Sequence, residues 1–126
     1  MLTVACVFAG LAALVHVYIF WLEALVFATT GRKAFGVSAE EAAIMKPWAY
    51  NQGFYNLFLA IGTGVGIALM GSNRDAGVAL VTLATGSMVA AALVLITSDP
   101  SKARGAVVQG TFPAIGLIAL AVWALA

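Results

Sequence analysis

The stretch LTVACVFAGLAALVHVYIFWLEALVFAT, Leu2 to Thr29, runs without a charge as far as Leu22 and then places one carboxylate, Glu23, in an otherwise apolar sequence. About 20 apolar residues suffice to cross the hydrocarbon core of a bilayer, and this run exceeds that length. A secretory signal would be shorter, with a basic start and a small-residue cleavage site, so the segment reads as a retained membrane helix. Being longer than the hydrocarbon is thick, it should tilt or project beyond it. Gly31-Arg32-Lys33 then gives a polar stop.

Three further apolar segments follow, Trp48 to Met70, Gly77 to Thr97 and Gly105 to Ala126, separated by Gly71 to Asp75 and by Ser98 to Arg104 with its Asp99-Pro100 breaker. With 63% of residues apolar and 9% charged, the chain lies far from a soluble composition, in which about a quarter are charged. The expected fold is therefore all-α: a single integral membrane four-helix bundle over residues 1–126, with helices near 2–29, 48–70, 77–97 and 105–126 and short loops. Between the first two crossings, Ser38 and Glu41 have capping-box spacing, and Ala39 to Lys46 are helix formers that stop at Pro47. They predict a short interfacial helix. Trp48 and Trp123 fall near segment ends, where interfacial tryptophans belong. Cys6 is the lone cysteine, which excludes an internal disulfide and reads as a small packing residue.

Arg32, Lys33, Lys46, Lys102 and Arg104 all fall in the 1–2 and 3–4 loops, and only Arg74 lies on the other side. The positive-inside rule puts those two loops in the cytoplasm and both termini outside, as in a multi-pass protein of a bacterial inner membrane. The same basic residues suit contact with lipid headgroups, and nothing suggests nucleic acid. Gly62 and Gly66 form a GxxxG pair, and Gly86/Ala90 and Gly110/Ala114 share its spacing, which lets helix backbones approach. A homodimer through the glycine-rich second helix is one use of that spacing. Gly62-Thr63-Gly64-Val65-Gly66 lacks a preceding strand and is no nucleotide loop.

The polar residues within the crossings carry whatever function can be read. His16 falls near the midplane, and Glu23 lies about 10 Å nearer the cytoplasm at 1.5 Å per residue, so an α-helix puts them roughly 20° apart on one face. Asn51, Gln52, Tyr55 and Asn56 occupy the first turns of the second helix, and Gln109 lies early in the fourth. All are expected to converge in the cytoplasmic half of the bundle. Asn and Gln in membrane helices commonly act as interhelical hydrogen-bond glue, worth about 0.6 kcal/mol each. A carboxylate at that depth must be paired or neutralised, and Glu23 is the residue that most favours a site. Tyr18, Trp21 and Tyr55 could line the same cavity.

His16-Val-Tyr-Ile-Phe-Trp-Leu-Glu23, Phe35-Gly36, Asn51-Gln-Gly-Phe-Tyr-Asn56-Leu-Phe-Leu-Ala60 and Gln109-Gly-Thr-Phe-Pro-Ala114 together resemble the pattern of a family of small integral membrane proteins, domain of unknown function 1304. The resemblance spans nearly the whole chain, and its polar positions coincide with the cluster. It implies a four-helix membrane protein of bacteria or fungi and no particular activity.

Three activities fit such a cluster. The first is a polar pocket for a small or lipid-like ligand, with His16 and Glu23 as catalytic proton shuttles and Asn51, Gln52, Tyr55, Asn56 and Gln109 as ligand-binding groups. The second is a proton-coupled carrier, in which one carboxylate serves proton and cargo alternately; the third is a scaffold that binds lipid without turnover. No cofactor is expected. One His and one Glu without a second His or a cysteine give little basis for zinc or haem.

Overall fold

The computed structural model describes all residues, 1–126, and is an all-α bundle. Helix α1 covers Leu2–Phe20, the short α2 Arg32–Phe35, α3 Ala39–Leu69, α4 Arg74–Ser98 and α5 Ala103–Leu125. Four of the helices are long and apolar enough to cross a membrane, which makes this a multi-pass membrane protein in architecture. Helix α1 packs on α3 and α5, and α4 packs on the same two, so the order around the bundle is α1, α3, α4, α5.

Small side chains bring these helices together. On α1 the buried residues are Ala5, Ala9, Ala12, His16 and Ile19, a seam spaced four and three apart whose three alanines let backbones approach. Gly116 of α5 rests on it: a Cβ there would come within 3.2 Å of the Ala9 nitrogen. The GxxxG pair is turned toward α4 of the same chain, where a Cβ on Gly66 would meet Val81 Cγ2 at 2.9 Å and one on Gly62 would meet Ala84 Cβ at 3.9 Å. Gly110 makes the same kind of approach to Ala92, whereas Gly86 faces open space. At the end of the bundle remote from the basic loops, Ala5, Ala9, Val81, Ala119 and Leu120 form an apolar cluster. Arg74 closes that end, its guanidinium 5.7 Å from the Trp123 ring centre.

The connection between α1 and α3 departs from the sequence expectation in two ways. First, the helix expected over 2–29 is α-helical only to Phe20. Trp21–Leu25 and Phe27–Gly31 wind as wide π turns, with Val26 N–H donating to the Trp21 carbonyl at 3.2 Å and Gly31 N–H to the Val26 carbonyl at 2.9 Å. Val26, at φ −126 and ψ 24, separates the two turns. Second, Pro47 does not end a short helix. The capping box forms as expected, with Ser38 Oγ accepting from Glu41 N–H at 3.2 Å and Glu41 Oε2 accepting from Ser38 N–H at 2.9 Å, but the helix it starts is α3 itself.

Packing explains why the helix survives its proline. Phe27, Ala42 and Ala49 form a buried cluster with Phe35 and Val37 against it, and this fixes residues on both sides of Pro47 to one surface. The hydrogen bond that a proline removes is from its own missing N–H to the carbonyl four residues earlier, here Ala43, which is exposed. At about 1.5 Å per residue the 31-residue α3 is about 46 Å long against a hydrocarbon core of about 30 Å, so its first turns extend past the membrane. The short helix between the first two crossings is instead Arg32–Phe35, ended by Gly36 in the left-handed region at φ 67 and ψ 39.

Candidate functional site

The wide turn at Trp21–Leu25, which continues α1, packs closely on α3. A Cβ on Gly53 would lie 2.9 Å from Ala24 Cβ, 3.0 Å from the Ala24 nitrogen and 3.2 Å from Glu23 Cβ. Only glycine fits that position. Asn56, three residues on and so about 60° from Gly53 around the helix, reaches the same interface. Its Nδ2 donates to Glu23 Oε2 at 2.9 Å and also to the Gln52 carbonyl at 3.1 Å. The Phe20 and Phe54 rings, 5.2 Å apart and edge to face, pack beside this contact. π turns recur at functional sites, where the extra residue in the turn re-aims a side chain.

His16 lies deeper along α1, at 1% exposure. Its Nδ1 is 2.9 Å from the Ala12 carbonyl. Because a carbonyl oxygen can only accept, Nδ1 carries the proton and Nε2 holds the lone pair of the neutral ring. No side-chain nitrogen or oxygen is sealed in the interior without a partner. Nε2 makes no hydrogen bond within the chain, so the sliver of surface His16 retains belongs to that atom. The same reasoning leaves Glu23 Oε1 and the Gln109 amide open, since both residues are half-buried and neither atom set has a partner in the chain. Gln109 lies on the edge of the buried face of α5, between Ala106 and Pro113.

The residues expected to converge are therefore gathered only in part. Glu23 and Asn56 are joined directly, while Asn51, Gln52 and Tyr55 are exposed, Tyr55 at 58%. Asn51 and Tyr55 lie about 160° around α3 from Gly53, which turns them away from α1. Tyr18 and Trp21 stack on each other at 5.8 Å and are likewise exposed. The projected 20° between His16 and Glu23 assumed continuous α geometry, and that geometry ends at Phe20. Sequence reading missed the wide turn and Gly53. A mid-helix glycine beside three polar residues was the available sign of a close approach.

Two grooves lie elsewhere. One, lined by Arg74, Asp75, Val78 and Trp123 among others, sits at the remote end; the other is an apolar furrow of about 280 Å³ between α4 and α5. Neither contains Glu23, Asn56 or His16.

At the basic end, Lys102 donates its Nζ to the Phe35 carbonyl at 2.9 Å, joining the 3–4 connection to the end of α2. Asp99 Oδ1 accepts from Ser101 Oγ at 2.6 Å and from Ser101 N–H at 3.0 Å. The Ser101 hydroxyl, then its backbone N–H and the charge of Lys102, hold the Asp99 carboxyl below the ordinary range.

These features define a class: a four-helix integral membrane protein with a carboxylate–amide pair between its first two long helices and an enclosed histidine beyond it. Within that class, the chain belongs to the family of the protein of unknown function DUF1304, whose model matches residues 10–121. No curated protein and no solved structure matches the chain.

Proposed function

We propose that this protein binds a small or lipid-like molecule in the basic-end half of the bundle, at the Glu23–Asn56 contact, and that His16 and Glu23 can pass a proton to and from it. The observation that carries the reading is the hydrogen bond from Asn56 Nδ2 to Glu23 Oε2 at 2.9 Å, which holds one carboxylate oxygen and leaves the other open. An ionisable group in hydrocarbon is costly, and such groups mark ligand or proton paths more often than they serve packing alone. The neutral His16 ring offers a lone pair on Nε2, the form a general base requires. Gln109 would orient the ligand from α5, while Asn51 and Tyr55, turned away from α1, stay outside the contact.

Binding is favoured over transport by the far end of the bundle. A carrier must open to both sides, and beyond His16 the interior narrows to Ala5, Ala9, Val81, Ala119 and Leu120. The distribution of Arg32, Lys33, Lys46, Lys102 and Arg104 supports a cytoplasmic position for the mouth of the site.

The test is mass spectrometry of molecules that copurify with the wild type and with Glu23→Leu. A species retained by the wild type and lost from the variant, at matched thermal stability, is expected. Identical copurifying content with a large fall in stability would reduce the pair to hydrogen-bond glue.

A further inference from the structure

With Glu23 ionised, the free polar atoms of the Glu23–Asn56 pair are acceptors. Asn56 spends its amino group on Glu23 Oε2 and on the Gln52 carbonyl, so what it has left is Oδ1. The amide cannot be reversed, because Oδ1 would then face two acceptors. In the ionised form, which a bound ammonium and the Asn56 N–H on Oε2 both favour, Glu23 offers Oε1 as a second acceptor; deeper along α1, the neutral His16 ring keeps its lone pair on Nε2.

Resting on the ligand-binding reading above, we infer that the ligand's polar end is a hydrogen-bond donor, a primary ammonium or a hydroxyl, carried on an apolar body. A phosphate or carboxylate would bring acceptors to acceptors in a medium where an unmatched polar group loses its water and gains nothing. A quaternary ammonium would match the carboxylate's charge but bring no N–H to Oε1 or Oδ1. The apolar body follows from the setting: the contact lies between helices that cross the hydrocarbon, flanked by Phe20 and Phe54.

Four probes sharing one chain separate these chemistries: dodecylamine, dodecanol, dodecyltrimethylammonium and laurate, each offered at neutral pH to the detergent-solubilised full chain and read as retained adducts by native mass spectrometry. The amine, the alcohol or both should be retained; the amine alone narrows the headgroup to ammonium and the alcohol alone to hydroxyl. Glu23→Gln should weaken the amine about tenfold, equivalent to about 1.4 kcal/mol, and spare the alcohol, because the amide oxygen still accepts. Glu23→Leu should lose both. Retention of the quaternary probe equal to that of the amine, or Glu23-dependent retention of laurate, would overturn the donor inference and leave the binding site standing. Retention of none of the four, or equal retention by wild type and both variants, would overturn the inference and the binding reading together.

Discussion

Asn56 and Glu23, 33 residues apart in sequence, meet at 2.9 Å because Gly53 lets α3 settle onto the wide turn of α1. Gly53→Ala gains about 1 kcal/mol of helix propensity but puts a methyl group 3.0 Å from the Ala24 backbone nitrogen, which cannot swing aside. Overpacking of this kind costs about 1–3 kcal/mol, so the variant should be less stable overall. Gly64→Ala is the matched control, since a Cβ there meets nothing within 4 Å. It should be neutral or stabilising by about 0.5–1 kcal/mol. Thermal unfolding in one detergent decides both, and equal shifts for the two variants would refute the close approach.

The hydrogen bond itself can be weighed with a double-mutant cycle of Glu23→Ala and Asn56→Ala. Interhelical hydrogen bonds in membranes average about 0.6 kcal/mol and reach about 1.7. A coupling energy inside that range is expected, measured by reversible unfolding in mixed micelles. A value near zero would mean that the two side chains do not share a bond in the folded protein.

Much of this arrangement was legible from residue order. Hydrophobic run length gave the four crossings, and Ser38 with Glu41 marked a helix start that the structure places at the same residue. Local rules failed at Pro47, where burial of Ala42, Ala49 and Phe27 outweighs the lost hydrogen bond. They failed again after Phe20, because nothing in WLEAL announces a change from 3.6 residues per turn. Glu23 stood out by its cost in hydrocarbon. Asn51, Gln52 and Tyr55 shared its depth, and a polar composition could not tell the α1-facing side of α3 from the exposed one.

For His16 the expected result is spectroscopic. With Nδ1–H donating to the Ala12 carbonyl at 2.9 Å, the neutral ring has a protonated Nδ1 and a bare Nε2, the reverse of the tautomer usual in water. Nitrogen-15 spectra of the labelled single histidine should show a pyrrole-type Nδ1 and a pyridine-type Nε2. His16→Phe preserves bulk and removes both nitrogens, and it should abolish any proton exchange with a bound ligand while leaving the bundle folded. Observation of a pyrrole-type Nε2 in the neutral ring would contradict the assigned acceptor.

The basic end should respond to pH through Asp99. Its carboxyl is held below the ordinary range, chiefly by the Ser101 hydroxyl, so the folded state favours the ionised form. The sign follows from linkage: the contribution is present above the unfolded value of about 3.9 and is lost as pH falls through the lower folded value. Amide exchange at Ser101 and Lys102, corrected for the intrinsic pH dependence, should therefore accelerate in that acidic window. Asp99→Ala, which removes the acceptor, should show fast exchange there already at neutral pH. Lys102→Met tests the neighbouring link, since it removes the donor to the Phe35 carbonyl and should speed exchange in Arg32–Phe35 without touching α4. Unchanged protection of α2 in that variant would show that Gly36 and the Phe27 cluster hold the short helix unaided.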